Sequence, residues 1–285
     1  MNRLQTQTGH CNPLHAFPMI YKEIIPPPIL QPYIHQLLLI KSEGKTAGTT
    51  AFKVFADGLP GLIFQQYAGS FCDRDGNPLP QLFVHGLTTR YSEKTATGAF
   101  YNLTVRLKPY GLKVLFGVDA HLLTDCYLPL ETLVKNSLAE KLSEAITLHD
   151  KIAILNAFFI ARIGAGQDSE QAKIAQVVKK IHSTNEDLSL SSIPAMLRIS
   201  ERSLERLMKR YVGVSPKLYQ RIGRFQNTLT HLYNNPTDRL TRLAYAHAYS
   251  DQSHYIREFK QFAGMSPGAF RKRGLSQLRN FPEWR

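Results

Sequence analysis

RSLERLMKRYVGVSP at residues 202–216 and SHYIREFKQFAGMSP at residues 253–267 are one phrase written twice. Each is a basic amphipathic stretch that runs into a glycine and then into Ser-Pro. Gly213 and Gly264 stand 51 residues apart, as do Ser215-Pro216 and Ser266-Pro267. Leu204, Leu207, Met208 and Tyr211 recur at i, i+3, i+4 and i+7, the buried stripe of a helix over about 201–212. Tyr255, Phe259 and Phe262 do the same for a helix over about 252–262. In both copies the serine caps a new helix and the proline takes its first position, where a missing N–H costs nothing. Two copies are too few for a solenoid, which needs about three or more.

Working outward, each phrase is preceded by a short helix and a turn. The first pair is a helix at about 190–197 and a turn at Arg198–Ser200; the second is a helix at about 240–247 and a turn around Ala248–Ser250. Between the copies, Leu218, Ile222, Phe225, Leu229 and Leu232 mark one long helix that Asn234-Asn235-Pro236 stops. Upstream, Ile174, Val177, Val178 and Ile181 form another apolar stripe. Pro194 lies in the first short helix, where a proline costs about 3 kcal/mol unless it falls in the first turn. That helix therefore starts late, near Ile193, or the first unit is distorted.

The charge follows the same division. The 285-residue chain carries a formal net charge of +13. Residues 1–170 hold 15 Lys/Arg against 14 Asp/Glu, and residues 171–285 hold 20 against 8. Nearly all the excess sits with the doubled phrase, the electrostatic footprint of a polyanion partner. A hydrophobic fraction of 43% excludes a disordered chain. Three scattered cysteines, Cys11, Cys72 and Cys126, point to a reducing compartment rather than a disulfide framework. The N-terminus lacks the apolar core of a signal peptide. The longest aliphatic run, Leu37–Ile40, is far short of the ~18 residues of a membrane span. A cytoplasmic protein without a membrane segment is expected.

Residues 20–130 read as mainly β. Short runs at Phe52–Phe55, Leu62–Gln66, Gln81–Val84 and Phe100–Leu107 are separated by breaker clusters, and Asp73–Pro78 reads as a hairpin tip. A barrel or sandwich is expected, with Phe52, Phe55, Phe64, Phe83, Phe100 and Tyr101 as its core and some of them as pocket lining. Arg106 lies on the alternating strand, and its face is open. From about 137 the pattern turns helical, with Leu138, Leu142, Ala145 and Ile146, a turn at His149-Asp150, and then Ile152, Leu155, Phe158 and Phe159. Residues 164–170 read as a linker. The expected organisation is α+β: a β-rich sensor and dimerisation domain at 1–163, the linker, an all-helical domain at 171–274 and a tail at 275–285.

Short helix, turn, second helix with a basic outer face is the helix-turn-helix plan. The second helix enters the major groove. Arg bonds guanine and Gln bonds adenine, each good pair discriminating by about 1–3 kcal/mol, while Lys and Arg near the helix ends neutralise phosphate. A connecting helix of about 18 residues spans roughly 27 Å. Recognition helices so spaced suit successive major grooves, which recur every ~34 Å.

The residues Ser200–Met208 (SERSLERLM), Gly213-Val-Ser-Pro216, Tyr249–Lys260 (YSDQSHYIREFK) and Gly264-Met-Ser-Pro267 resemble the paired helix-turn-helix domain of the AraC/XylS family of bacterial transcription regulators. The resemblance implies base reading by Arg202, Glu205 and Arg206, with Lys209 and Arg210 towards phosphate. In the second unit it implies Asp251, Gln252, Ser253 and Arg257, with Lys260 towards phosphate. Glu205 also suits an i, i+4 pair with Lys209. The N-terminal half resembles, more faintly, the sensor domains of such regulators, through Phe55–Phe64 and Val105–Gly111. That implies a cupin-like barrel, with the helices at 137–162 for dimerisation or interdomain contact. The implied partners are double-stranded DNA, a small-molecule effector, a second copy of the chain and RNA polymerase.

No enzymatic reading stands out. His85, the pair His121 and Asp125, and Cys126 show no His-x-His strand pattern, so no metal or other cofactor is expected. Walker and dinucleotide motifs are absent. Repair of alkylated DNA needs a reactive thiolate, and the helical half has no cysteine. The alternative is a ligand-binding or enzymatic β-barrel tethered to nucleic acid without sequence preference by its basic half.

Overall fold

The computed structural model describes residues 19–42, 49–135, 137–164, 169–182 and 190–272. Its strands are β1 (Met19–Ile24), β2 (Ile34–Ser42), β3 (Thr49–Val54), β4 (Gly61–Gln65), β5 (Phe71–Cys72), β6 (Leu82–His85), β7 (Ser92–Thr97), β8 (Tyr101–Leu107) and β9 (Tyr127–Pro129). Helices α1 (Gly111–Phe116), α2 (Leu130–Leu133), α3 (Leu138–Glu144) and α4 (Leu148–Ile160) complete the N-terminal domain. The C-terminal domain is helical: α5 (Ser169–His182), α6 (Ser192–Leu197), α7 (Glu201–Tyr211), α8 (Pro216–Asn234), α9 (Leu240–Ala246), α10 (Gln252–Ala263) and α11 (Pro267–Lys272). None of the described helices is long and apolar enough to cross a membrane.

The strands form an antiparallel six-stranded sheet of order β1-β2-β8-β4-β6-β9 and a three-stranded sheet of order β3-β7-β5. The period of two sorts the side chains. Leu37, Leu39, Leu62, Phe64, Leu103 and Val105 face α1, α3 and α4, and pack with Leu112, Leu142, Leu155 and Phe159. Ile40, Ile63 and Phe83 face the other way and meet Phe52, Phe71 and Phe100 of the smaller sheet's cluster. Phe52, Phe71 and Phe100 stack at centroid distances of 5.1–5.4 Å. The hairpin tip is built by Asp73, whose carboxylate accepts from the N–H groups of Asp75 and Asn77, both at 2.9 Å.

Three expectations change. The expected aromatic core divides: Phe64 and Tyr101 belong to the sheet–helix layer, while Phe55 leaves the barrel and joins the core of the C-terminal domain. The cause is parity for Phe64 and Tyr101, which occupy the outward positions of their strands, and chain direction for Phe55, which follows the end of β3. His149-Asp150 is not a turn, because Thr147 caps α4 and accepts from the Asp150 N–H at 3.1 Å, which places both residues in the first helical turn. The stretch read as a linker ends in helix, since α5 already starts at Ser169; residues 165–168 and 273–285, with most of the linker and the whole tail, lie outside the described residues.

The helical domain forms around Ile174, Val177, Leu204, Met208, Tyr219, Phe225, Phe259 and Phe262, all buried, and Phe55, Ala56 and Leu87 of the N-terminal domain belong to the same cluster. The apolar stripes expected for α5, α7 and α10 are all buried.

Candidate nucleic-acid interface

The doubled phrase folds as a doubled frame. Ser200 caps α7 and accepts from the Ser203 N–H at 3.1 Å; Asp251, 51 residues later, caps α10 and accepts from the His254 N–H at 2.7 Å. In each preceding turn one non-glycine residue takes the left-handed conformation, Arg198 at φ 53° and Ala248 at φ 53°. The next N–H then reaches back five residues, Ile199 to the Pro194 carbonyl and Tyr249 to the Ala244 carbonyl, both at 3.0 Å. The turn that joins α6 to α7 is thereby closed by the same backbone bond as the turn that joins α9 to α10. Pro194 is the third residue of α6, within its first turn, so the helix starts late and the proline removes no helical hydrogen bond.

The outer faces of both recognition helices are open. Arg202, Glu205, Arg206 and Lys209 are exposed on α7; Asp251, Ser253, Arg257 and Lys260 are exposed on and beside α10. The 51-residue register places Arg206 with Arg257 and Lys209 with Lys260 at matching heights. Glu205 and Lys209 make no ion pair among the described residues, so the i, i+4 reading is set aside and the Glu205 carboxylate faces outward. Three of the named residues have local duties. Asp251 is the α10 cap, and the His254 N–H holds its carboxyl below the usual carboxylate range. The Gln252 carbonyl oxygen accepts from the Thr241 hydroxyl at 2.7 Å, which leaves its amide donor for a base. Arg210 is half-buried and pairs with Glu170 at 2.8 Å and with Asp119 of the N-terminal domain at 3.8 Å.

Glu258 is the feature the sequence did not disclose. It is 2% exposed on the inner face of α10. Its carboxylate accepts from Arg221 Nε at 2.7 Å and from Arg224 Nη2 at 3.1 Å, both on α8, with His254 Nε2 at 3.6 Å. The connector thus grips the second recognition helix by charge as well as by packing. The only cue was position, three residues after Tyr255 on the buried stripe.

The N-terminal domain touches the end of each recognition helix at its glycine. Thr124 Oγ1 donates to the Gly213 carbonyl at 2.9 Å, and a Cβ at Gly213 would lie 2.6 Å from that hydroxyl oxygen. At Gly264 a Cβ would lie 2.5 Å from the Tyr91 ring, while the Tyr91 N–H donates to the Gln261 carbonyl at 3.4 Å. Both glycines have positive φ, 97° and 68°. They end their helices and also admit the other domain.

Three histidines make the molecule acid-sensitive. His35, His182 and His247 are pushed down to about 4, mainly by burial, with Arg106, Lys108 or His231 adding to it. Each is neutral in the folded chain and titrates near 6.5 when unfolded, so the unfolded state binds more protons between those values. Stability is therefore complete above pH 6.5 and falls as pH drops towards 4. Scanning calorimetry at pH 7.5 and 5 (the latter inside the roughly 6.5–4 window) should show a lower melting temperature at the acid value; an unchanged or higher one contradicts the burial of these rings.

Two helix-turn-helix units with open basic recognition faces define a DNA-binding protein. Residues 194–273 match the family described as a helix-turn-helix domain, of the AraC type, and the C-terminal domain of this chain belongs to it. The chain is accordingly a DNA-binding transcriptional regulator. Residues 22–129 match a family described as a domain of unknown function (DUF6597). No curated protein matches the chain. Among solved structures, unsaturated fatty acid-bound ToxT from Vibrio cholerae is 14% identical, with 82% of this chain and 94% of that chain covered and a TM-score of 0.45. An AraC-type regulator from Chromobacterium violaceum is 24% identical over 36% of this chain and 92% of its own, with a TM-score of 0.34. A DNA-binding transcriptional dual regulator from Escherichia coli K-12 is 20% identical over 38% of this chain and 100% of its own, with a TM-score of 0.31.

Proposed function

We propose that one chain reads two successive major grooves, with α7 and α10 as recognition helices and the N-terminal domain governing how they are presented. The observation that carries this reading is the repeated frame: caps at Ser200 and Asp251 and open faces bearing Arg206 and Arg257 recur in one register. The connector α8, with 19 residues, spans roughly 28 Å, close to the ~34 Å repeat of the groove. In this reading Arg202, Glu205, Arg206, Gln252, Ser253 and Arg257 face base edges, and Lys209 and Lys260 face phosphate. Asp251 sets the start of α10, and Arg210 is shared between phosphate and the N-terminal domain. The domains divide at 164–170, with a sensor at 1–163 and the DNA reader at 171–274. The contacts at Gly213 and Gly264 support control by the first domain, because it holds both recognition helices at once. Within this reading the chain is a cytoplasmic non-enzyme that answers a small-molecule effector, pairs with a second copy and touches RNA polymerase.

The test compares two exposed residues one turn apart. Arg257→Ala is expected to lose about 1–3 kcal/mol of discrimination at one base position. Lys260→Ala is expected to weaken all sequences alike and to lower the salt slope by about one unit. Binding titrations on a specific site and on random duplex, across salt concentrations, measure both. Equal effects of the two variants on both DNAs would overturn the assignment.

A further inference from the structure

The 51-residue repeat extends beyond the recognition helices into the helices behind them. Ile174, Val177, Val178 and Ile181 of α5 are buried, and so are Phe225, Thr228, Leu229 and Leu232 of α8, each 51 residues later. Helix α5 packs against α7 as α8 packs against α10. The same register matches Glu170 with Arg221, Lys173 with Arg224, Leu207 with Glu258 and Arg210 with Gln261. Matched positions therefore meet matched neighbours, but their chemistry differs.

In the second unit this corner is closed by its own acid. Glu258 lies between Arg221 Nε at 2.7 Å and Arg224 Nη2 at 3.1 Å, and Arg221 Nη2 donates to Gln261 Oε1 at 2.9 Å. Arg224 also donates to the Ala248 carbonyl and covers the Tyr249 ring. In the first unit that acid is missing. Leu207, buried and apolar, stands where Glu258 stands in the second. Glu170 pairs with Arg210 at 2.8 Å and accepts from the Tyr211 hydroxyl at 3.3 Å. Lys173, the counterpart of Arg224, makes no ion pair among the described residues.

A cavity of about 140 Å³ opens there between α5 and α7. Lys173, Ser203, Arg206 and Arg210 line it, together with the apolar side chains of Ile199 and Leu207. Glu170 also borders it, but its carboxylate already serves Arg210 and Tyr211. The Ser203 hydroxyl lies 2.9 Å from Ser200 Oγ, which can donate to it, so the Ser203 O–H is left for an occupant. Arg206 joins the cleft to the exposed face of α7. Three cations and one engaged carboxylate give the cleft an excess of positive charge, with Lys173 met by no acid.

We propose that this cleft seats a backbone phosphate of the DNA that α7 reads, held by Lys173 Nζ and the Ser203 hydroxyl. The proposal rests on α7 serving as a recognition helix, as proposed above. Phosphates line both edges of the major groove, so a helix lying in the groove brings them against its flanks. A lysine ammonium binds phosphate as a point charge with three donors and needs no fixed geometry. The phosphate supplies from outside the anion that Glu258 supplies from within the second unit. The two units therefore hold the backbone unequally. Helix α5 adds a contact beside α7, while the matched arginine beside α10 is committed to Glu258, Ala248 and Tyr249. Lys173 lies outside residues 194–273, the stretch that matches the helix-turn-helix family.

The experiment titrates the full chain with a specific duplex recovered by selection and with random duplex, over a series of salt concentrations. Lys173→Gln is expected to weaken both DNAs alike, by about threefold or more, and to lower the salt slope by about one unit. Lys173→Arg keeps the charge and is expected to keep the slope. Lys179→Gln removes a charge from an exposed position of α5 away from the cleft, and its slope is expected to stay near that of the wild type. Duplexes that each carry one neutral methylphosphonate then locate the phosphate. At one linkage beside the bases read by α7, the neutral group should weaken the wild type and leave Lys173→Gln unaffected. An unchanged slope in Lys173→Gln, an equal drop in Lys179→Gln, or the absence of any such linkage would each overturn the seat. Any of these results alongside specific DNA binding sinks only the seat. A folded chain that binds no DNA specifically sinks the two-groove reading and the seat with it.

Discussion

Glu258→Ala is expected to cost about 3 kcal/mol of stability and to lower the melting temperature by roughly 6–12 °C. The carboxylate is sealed inside the second unit while Arg221 and Arg224 reach it from α8. Removing it takes the shared carboxylate from two guanidinium groups, which are left with the neutral acceptors Gln261 Oε1 and the Ala248 carbonyl. Breaking a buried pair from one side costs about 3–5 kcal/mol, because the remaining charge is stranded. Here the lower end applies, since the arginine side chains keep 32% and 22% of their exposure and retain some water. Arg224 also lies 4.4 Å from the Tyr249 ring centroid and donates to the Ala248 carbonyl at 3.0 Å, so the turn before α10 loosens with it. DNA discrimination at the second half-site should fall more than stability alone explains. Thermal denaturation and competition binding read the two effects. A melting temperature unchanged within error would show that the ion cluster does not hold α10.

Phe225→Ala should cost about 3–5 kcal/mol, the range for emptying a large aromatic site. Phe225 is fully buried on α8 and lies 5.3 Å from both Phe259 and Phe262 of α10 and 6.5 Å from Phe55 of the N-terminal domain. One ring therefore joins α8, α10 and the N-terminal domain. Its loss leaves a cavity at the junction, and the backbone bonds of Ala56 to Phe262 and Gln226 lose their support. Urea denaturation measures the cost, and limited proteolysis between the domains should quicken. A loss below about 1 kcal/mol would mean that the junction collapses around the gap and carries little of the coupling.

What the sequence disclosed was local, and what it concealed was distant. The helices of the DNA reader announce themselves through a 3.6-residue stripe and through Gly and Ser-Pro punctuation, signals held within a dozen residues. Strand β2 was missed because Leu37, Leu38 and Leu39 are buried on both faces, so no alternation marks them. Arg106 had an open face because its partner Asp57 is 49 residues away. Gly213 and Gly264 read as helix ends, which they are, but their second role depends on Thr124 and Tyr91 from another domain. Glu258 breaks the rule that glutamates face water, and its two arginine partners lie on α8, more than 30 residues away. Most of the outward residues of α7 and α10 are exposed, while Arg210 and Asp251 acquire duties that spacing does not show.

The central claim is that one chain reads two grooves in one register. Selection of the full chain against random duplex DNA, followed by sequencing of the bound pool, tests it most directly. The account predicts a bipartite motif whose two parts lie about one helical turn, roughly 10 base pairs, apart, with one part degraded by Arg206→Ala and the other by Arg257→Ala. A single short motif sensitive to only one of these arginines, or a folded protein that enriches no motif, would contradict it.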